Sequence, residues 1–262
     1  MIDIGGHRLA MTSQGAGSPA VVFETGLGAE SGEWAAVEAQ IIGARTLRYD
    51  RANRGSSDPL PGPRSALQMV DDLDRLLRVA SIEPPYILVG HSFGGLLARV
   101  FAHRHSDRVA SLVLVDAMHE DQFETFAPLF PPAEPSEPAE LTRVRAFWQG
   151  GWRSPEATVE KIDFTASLSQ AREVRSLGDI PLHVIIAGTY LHQPLIPPSV
   201  REPLQSRWQA QQLQFLKLST ESACSFALGS GHFIQRDQPS SIGEAINTMV
   251  AQVRMKHGGI RK

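Results

Sequence analysis

The chain has 262 residues, 42% of them apolar, 20% charged and 7% aromatic, which excludes disorder or a fibrous repeat as the main state and suits one large α/β domain or two small ones. Twenty-five Lys and Arg against 28 Asp and Glu give a formal charge of −3, so there is no basic field for a polyanion to neutralise and no nucleic-acid partner is expected. The single cysteine, Cys224, supports neither an internal disulfide nor a thiolate metal site.

Residues 1–7 lack the basic end and long apolar run of a signal peptide, and no apolar stretch reaches membrane-spanning length. The expected setting is cytoplasmic, with no membrane partner. Residues 1–15 are expected to form an antiparallel edge. Next come a strand at 20–23, a helix at 32–42, a strand at 45–49 and a helix at 65–80 capped by Ser65. The continuous apolar run at 86–89 predicts a central strand covered on both faces, followed by a helix at 96–105 and a strand at 109–115. Strands alternating with helices predict a mainly parallel sheet flanked by helices.

That alternation stops at Asp116. Before the next strand pattern, at 182–187, lie about 65 residues, far beyond an ordinary connection. An inserted helical cap over 117–181 is therefore predicted, between core segments 1–116 and 182–262. Its acidic start (Glu120, Asp121, Glu124, Glu134, Glu137, Glu140) runs through Pro128, Pro131, Pro132, Pro135 and Pro138, and helical spacing resumes at 139–150 and 156–177. Phe123, Phe126, Phe130, Phe147, Trp148 and Trp152 are expected mainly as cap core rather than substrate wall. A second proline-rich loop (Pro194, Pro197, Pro198, Pro203), a helix near 207–216, a strand at 222–228 and a helix at 240–255 complete the chain.

The sequence Gly90-His91-Ser92-Phe93-Gly94-Gly95 falls where the 86–89 strand turns into a helix, which is the context a G-x-S-x-G nucleophile turn requires. Ser92 is the candidate nucleophile, and the Phe93 N–H is placed to donate to an oxyanion. A serine hydroxyl needs a base within reach. Among nine histidines, His232 fits best, in the loop Gly229-Ser230-Gly231-His232-Phe233 that returns to the same sheet edge. His91 is expected to pack or hydrogen-bond beneath the turn, and His103 and His105 point to different helix faces, a poor metal pair.

Together with Asp50-Arg51-Ala52-Asn53-Arg54-Gly55-Ser56-Ser57-Asp58, which is similar to a structural D-R-x-x-x-G-x-S turn, these residues resemble the α/β-hydrolase family over essentially the whole chain. The resemblance implies an α/β-hydrolase fold. The family's His-Gly pair after the third strand is altered to Thr25-Gly26, and Leu27 would supply the second oxyanion N–H. Glu24 is expected to anchor that loop rather than to act in catalysis. The resemblance also implies an acid after the strand that follows the cap, but Ala187-Gly188-Thr189-Tyr190-Leu191-His192 offers none. Asp116, at the end of the 109–115 strand, is where some family members, including one group of haloalkane dehalogenases, carry it. The alternative is that Asp116 only caps the next segment while Glu120 or Asp121 orients the histidine.

The expected activity is that of a cofactor-free serine hydrolase working through Ser92, His232 and Asp116 on a small ester or related acyl substrate with an apolar portion. A lyase or cofactor-free peroxidase on the same residues, or a ligand receptor retaining the fold, are the alternatives.

Overall fold

The structure, a computed structural model, describes residues 1–134, 137–189 and 198–258. A hairpin of β1 (Ile2–Asp3) and β2 (Arg8–Leu9) precedes a seven-stranded sheet made of β3 (Met11–Gln14), β4 (Ala20–Glu24), β5 (Arg45–Tyr49), β6 (Tyr86–His91), β7 (Val109–Val115), β8 (Leu182–Ala187) and β9 (Ser222–Ala227). Its order is β3-β5-β4-β6-β7-β8-β9, with β3 antiparallel to β5 and every other pair parallel. Only 11–14 of the first 15 residues join this sheet, as its antiparallel edge.

The flanking helices are α1 (Ala35–Glu38), α2 (Ala66–Val79), α3 (Phe93–Arg104), α4 (Gln122–Phe126), α5 (Ala139–Gln149), α6 (Phe164–Arg172), α7 (Pro198–Gln214), α8 (Ile234–Asp237) and α9 (Pro239–Gly258). Because successive strand residues face opposite ways, the apolar runs serve two cores at once. Val22, Leu88, Leu112, Leu114 and Val184 pack against α2, α3 and α6. Val21, Ile87, Val89, Val113 and Ile185 pack with Trp34 and with Ile242, Ile246 and Val250 of α9. Helix α2 starts as expected at Ser65, whose N–H donates to Gln68 Oε1 at 2.9 Å. Between β7 and β8 the described residues form α4, α5, α6 and short 3₁₀ turns; the one strand-like pairing there is a bridge between Arg64 and Ile162.

Several boundaries differ from the sequence expectation. The helix expected at 32–42 is only a 3₁₀ turn (Ser31–Trp34) plus α1, because Gln40 and Ile41 close tight turns onto Val37 and Glu38 and the Ile42 N–H goes to Asn247 of α9. Helix α3 begins at Phe93 rather than 96: Gly94 and Gly95 lie within its first turn, where close packing requires them. In the segment 156–177 only α6 is α-helical: before it the chain makes a 3₁₀ turn (Pro155–Ala157) and a further turn at 159–160, and then bridges Arg64 at Ile162. The last strand stops at Ala227, one residue short of Leu228. Pro203 lies inside α7, not in a loop, and Pro198 begins that helix; Leu204 and Trp208 anchor it on Phe126, outweighing the hydrogen bond a proline removes. Pro194 and Pro197 lie outside the described residues. Among the described residues no helix is long and apolar enough to cross a membrane.

Candidate active site

The chain passes from β4 to β5 on one side and returns to place β6 on the other, so the connections diverge between β4 and β6. In an open parallel sheet that divergence leaves a crevice at the carboxyl ends of the strands. Ser92, directly after β6, stands there at φ 51°, ψ −120°, a strained conformation for a residue with a side chain. Its carbonyl accepts the N–H of Gly95 at 2.9 Å and of Met118 at 2.8 Å, fixing the turn from both sides. Three glycines make the turn possible. A Cβ on Gly90 would stand 2.5 Å from the Gly94 carbonyl oxygen, one on Gly94 2.4 Å from that of Glu24, and one on Gly95 2.4 Å from Ala117 Cβ. Phe93 heads α3, where first-turn N–H groups have no intrahelical acceptor and the helix dipole is positive.

Asp116 ends β7 at φ 43° and is fully buried. Its Oδ1 accepts the Ala187 N–H at 2.9 Å and the Trp208 Nε1–H at 2.8 Å, while Oδ2 lies 2.7 Å from His232 Nδ1. The alternative carboxylates are engaged elsewhere: Glu120 pairs with Arg99 at 2.9 Å and Asp121 with Arg172 at 2.8 Å. Trp208 escaped the sequence reading, since nothing local marks a tryptophan 92 residues after its acceptor.

The loop after β4 rests on a buried ionic network. The Arg51 guanidinium donates to the Thr25 carbonyl (2.8 Å), Thr25 Oγ1 (3.1 Å) and the Gly26 carbonyl (2.9 Å), and pairs with Glu24 (3.1 Å) and Glu160 (2.6 Å). Glu160 Oε1 also accepts the Gly28 N–H at 2.7 Å. Burial alone would lower the Arg51 pKa, but Glu160 and then Glu24 outweigh it and hold the group charged. Burial pushes the Glu24 carboxyl up, against Arg51 and the Tyr49 hydroxyl that donates to it. Glu24 thus sits among loop-anchoring contacts, and threonine at 25 gives Arg51 an acceptor. Gly26 packs so closely that a Cβ there would meet His91 Nδ1 at 2.8 Å. Leu27 lines the cavity beside Ser92.

His91 lies beneath the turn. Its Nε2 is 2.8 Å from the His232 carbonyl oxygen, so Nε2 carries the proton, and Nδ1 is 3.2 Å from Gln235 Nε2, from which it accepts. Burial, and then the neighbouring His232 ring, hold His91 well below the ordinary 6.5. Below that pH the unfolded chain takes up a proton that folded His91 refuses, so stability present above 6.5 is lost as pH falls. The melting temperature should therefore drop between about pH 7 and about pH 5, and less steeply in His91→Asn. His105, His119 and His183, also depressed by burial, keep their share of the slope in both proteins. Identical slopes by circular dichroism would refute the assignment to His91.

A cavity of about 320 Å³ opens over Ser92, His91 and His232. Phe123, Phe126, Phe147 and Trp148 from the segment between β7 and β8 line it, so these four are wall as well as core. Phe123 stacks on Trp152 at 4.6 Å and Phe130 on Trp148 at 6.3 Å, as core residues of that segment.

A family profile described as alpha/beta hydrolase fold matches residues 19–154, just over half of the chain. The uncharacterized protein YqjL of Bacillus subtilis is 28% identical over 89% of this chain and 84% of its own. A thermophilic esterase from Thermogutta terrifontis superposes with a TM-score of 0.64 at 20% identity, covering 94% of both chains. A loop variant of a haloalkane dehalogenase from Bradyrhizobium elkanii gives 0.70 at 17% identity, covering 99% of this chain and 98% of that one. At those identities the two superpositions speak to the fold alone.

Proposed function

The chain belongs to the α/β-hydrolase fold family, and on that premise we propose that it is a serine hydrolase cleaving an ester or related acyl compound. The reading is carried by the 2.7 Å contact between His232 Nδ1 and buried Asp116, at the same sheet edge as a serine held in strained geometry. In this proposal Ser92 attacks the carbonyl, and His232 Nε2 takes its proton and returns it to the leaving group. Asp116 holds the imidazole tautomer and stabilises its charge. The Phe93 and Leu27 N–H groups hold the oxyanion, and water releases the acyl group in a second pass.

Residues 117–181 serve as the cap between core segments 1–116 and 182–262. No step calls on a metal or cofactor. An alcohol at position 92 does not supply the carboxylate nucleophile of dehalogenation, so halide release is not expected. An exposed free thiol at Cys224 suits a reducing compartment, and we take the protein to be cytoplasmic. Hydrolysis of p-nitrophenyl esters by the purified protein in EDTA tests the reading; tight ligand binding without turnover would favour a receptor instead.

The second oxyanion donor depends on the Arg51 and Glu160 network for its position. Glu160→Gln keeps the shape and the acceptor for Gly28 but weakens the hold on Arg51. Because a misplacement of about 1 Å costs about 10² in rate, kcat should fall by up to about 10²-fold with KM nearly unchanged. A rise in KM with kcat intact would show that the network shapes binding instead.

A further inference from the structure

The side chains lining the cavity over Ser92 include, among the described residues, no Asp, Glu, Lys or Arg, and Phe93, Phe123, Phe147, Phe164 and Phe233 are among them. Charge burial against such a wall is costly, so the site suits a neutral ligand. Its volume of about 320 Å³ lies at the small end for small-molecule sites, enough for a compact, aryl-sized body.

Apart from Ser92, His91 and His232, one lining residue does not fit an apolar wall. Gln122, at the first position of α4, is 7% exposed and lines the cavity, and its side-chain amide, whose Oε1 is turned into the wall, has no hydrogen-bond partner among the described residues. Gln212, a nearby buried glutamine, differs: its amide accepts the Ala117 N–H at 3.0 Å and donates to the Ala117 carbonyl at 2.6 Å, using both ends structurally. The main chain holds Gln122 close to the reacting serine. Met118 N–H donates to the Ser92 carbonyl at 2.8 Å, and Gln122 N–H to the His119 carbonyl at 3.1 Å, so the segment is tied to the nucleophile turn one helical turn before the amide.

We propose that Gln122 is a specificity residue and that the substrate is a neutral ester or acyl compound whose aryl-sized apolar body carries a hydroxyl or amide group that hydrogen-bonds to the Gln122 side-chain amide. The proposal rests on the reading of Ser92 as the nucleophile. A site with an unpaired amide in an apolar wall discriminates strongly, because an analogue lacking the polar group leaves that amide buried and unpaired.

The test is a set of p-nitrophenyl phenylacetates bearing hydroxyl, methyl or carboxyl at the ortho, meta or para position. Wild type should favour hydroxyl over the similarly sized methyl at one ring position by about tenfold or more in kcat/KM, and should reject the carboxylates. In Gln122→Leu the hydroxyl-to-methyl ratio should collapse towards unity. Equal rates for hydroxyl and methyl at every position in wild type, or a preference that survives in Gln122→Leu, would overturn the proposal. Calorimetric binding of the same esters to Ser92→Ala separates the two readings: no ester turnover by wild type contradicts the hydrolase reading, whereas equal affinities for hydroxyl and methyl esters contradict the role of Gln122.

Discussion

Asp116→Asn should lower kcat by about 10⁴ while the protein stays folded. The contacts of the carboxylate say why. Oδ1 accepts two N–H donors, from Ala187 and Trp208, so in the asparagine variant the carbonyl oxygen must take that place. The NH₂ is then left facing His232 Nδ1, where Oδ2 now stands at 2.7 Å. A donor there forces Nδ1 to accept and moves the ring proton to Nε2, the nitrogen that must take the Ser92 proton. Glu120→Gln and Asp121→Asn should be mild, since those carboxylates pair with Arg99 and Arg172. The check is kcat of each folded variant on one activated ester. Near-normal turnover in Asp116→Asn would assign the acid elsewhere.

Ser92→Ala should have the largest effect, a loss of about 10⁴ to 10⁶ in kcat. What survives should be the roughly 10³ to 10⁴-fold advantage over water that binding and an oxyanion hole supply without a nucleophile. Alanine inherits the backbone at φ 51° without new side-chain contacts, so the variant isolates the hydroxyl rather than the fold. Turnover near wild type would mean that another group attacks.

What was legible in the sequence was local. The run Tyr86 to Val89 reads as a doubly covered strand, and the glycines at 90, 94 and 95 mark a turn too tight for side chains, so the candidate nucleophile can be placed from local sequence. His232 and Asp116 could be named because strand ends of a parallel sheet share one edge. Contacts distant in sequence left no such trace. Arg51 falls in a recognisable turn segment, but its partner Glu160 lies 109 residues away in the insertion, and no spacing rule joins them. Nothing local marks Gln122 within its acidic stretch, and its burial follows only from how α4 packs against α5 and α7. Pro203 misled because local breaking chemistry was overridden by packing of Leu204 and Trp208 on Phe126.

The central claim, that Ser92 is an activated nucleophile, is tested most directly by treating the folded protein with a fluorophosphonate and locating the adduct by intact-mass and peptide mass spectrometry. The prediction is a single phosphonyl group on Ser92, loss of esterase activity in step with its formation, and no adduct on Ser92→Ala. An unlabelled wild-type protein, or a label on any other serine that abolishes activity, would contradict it.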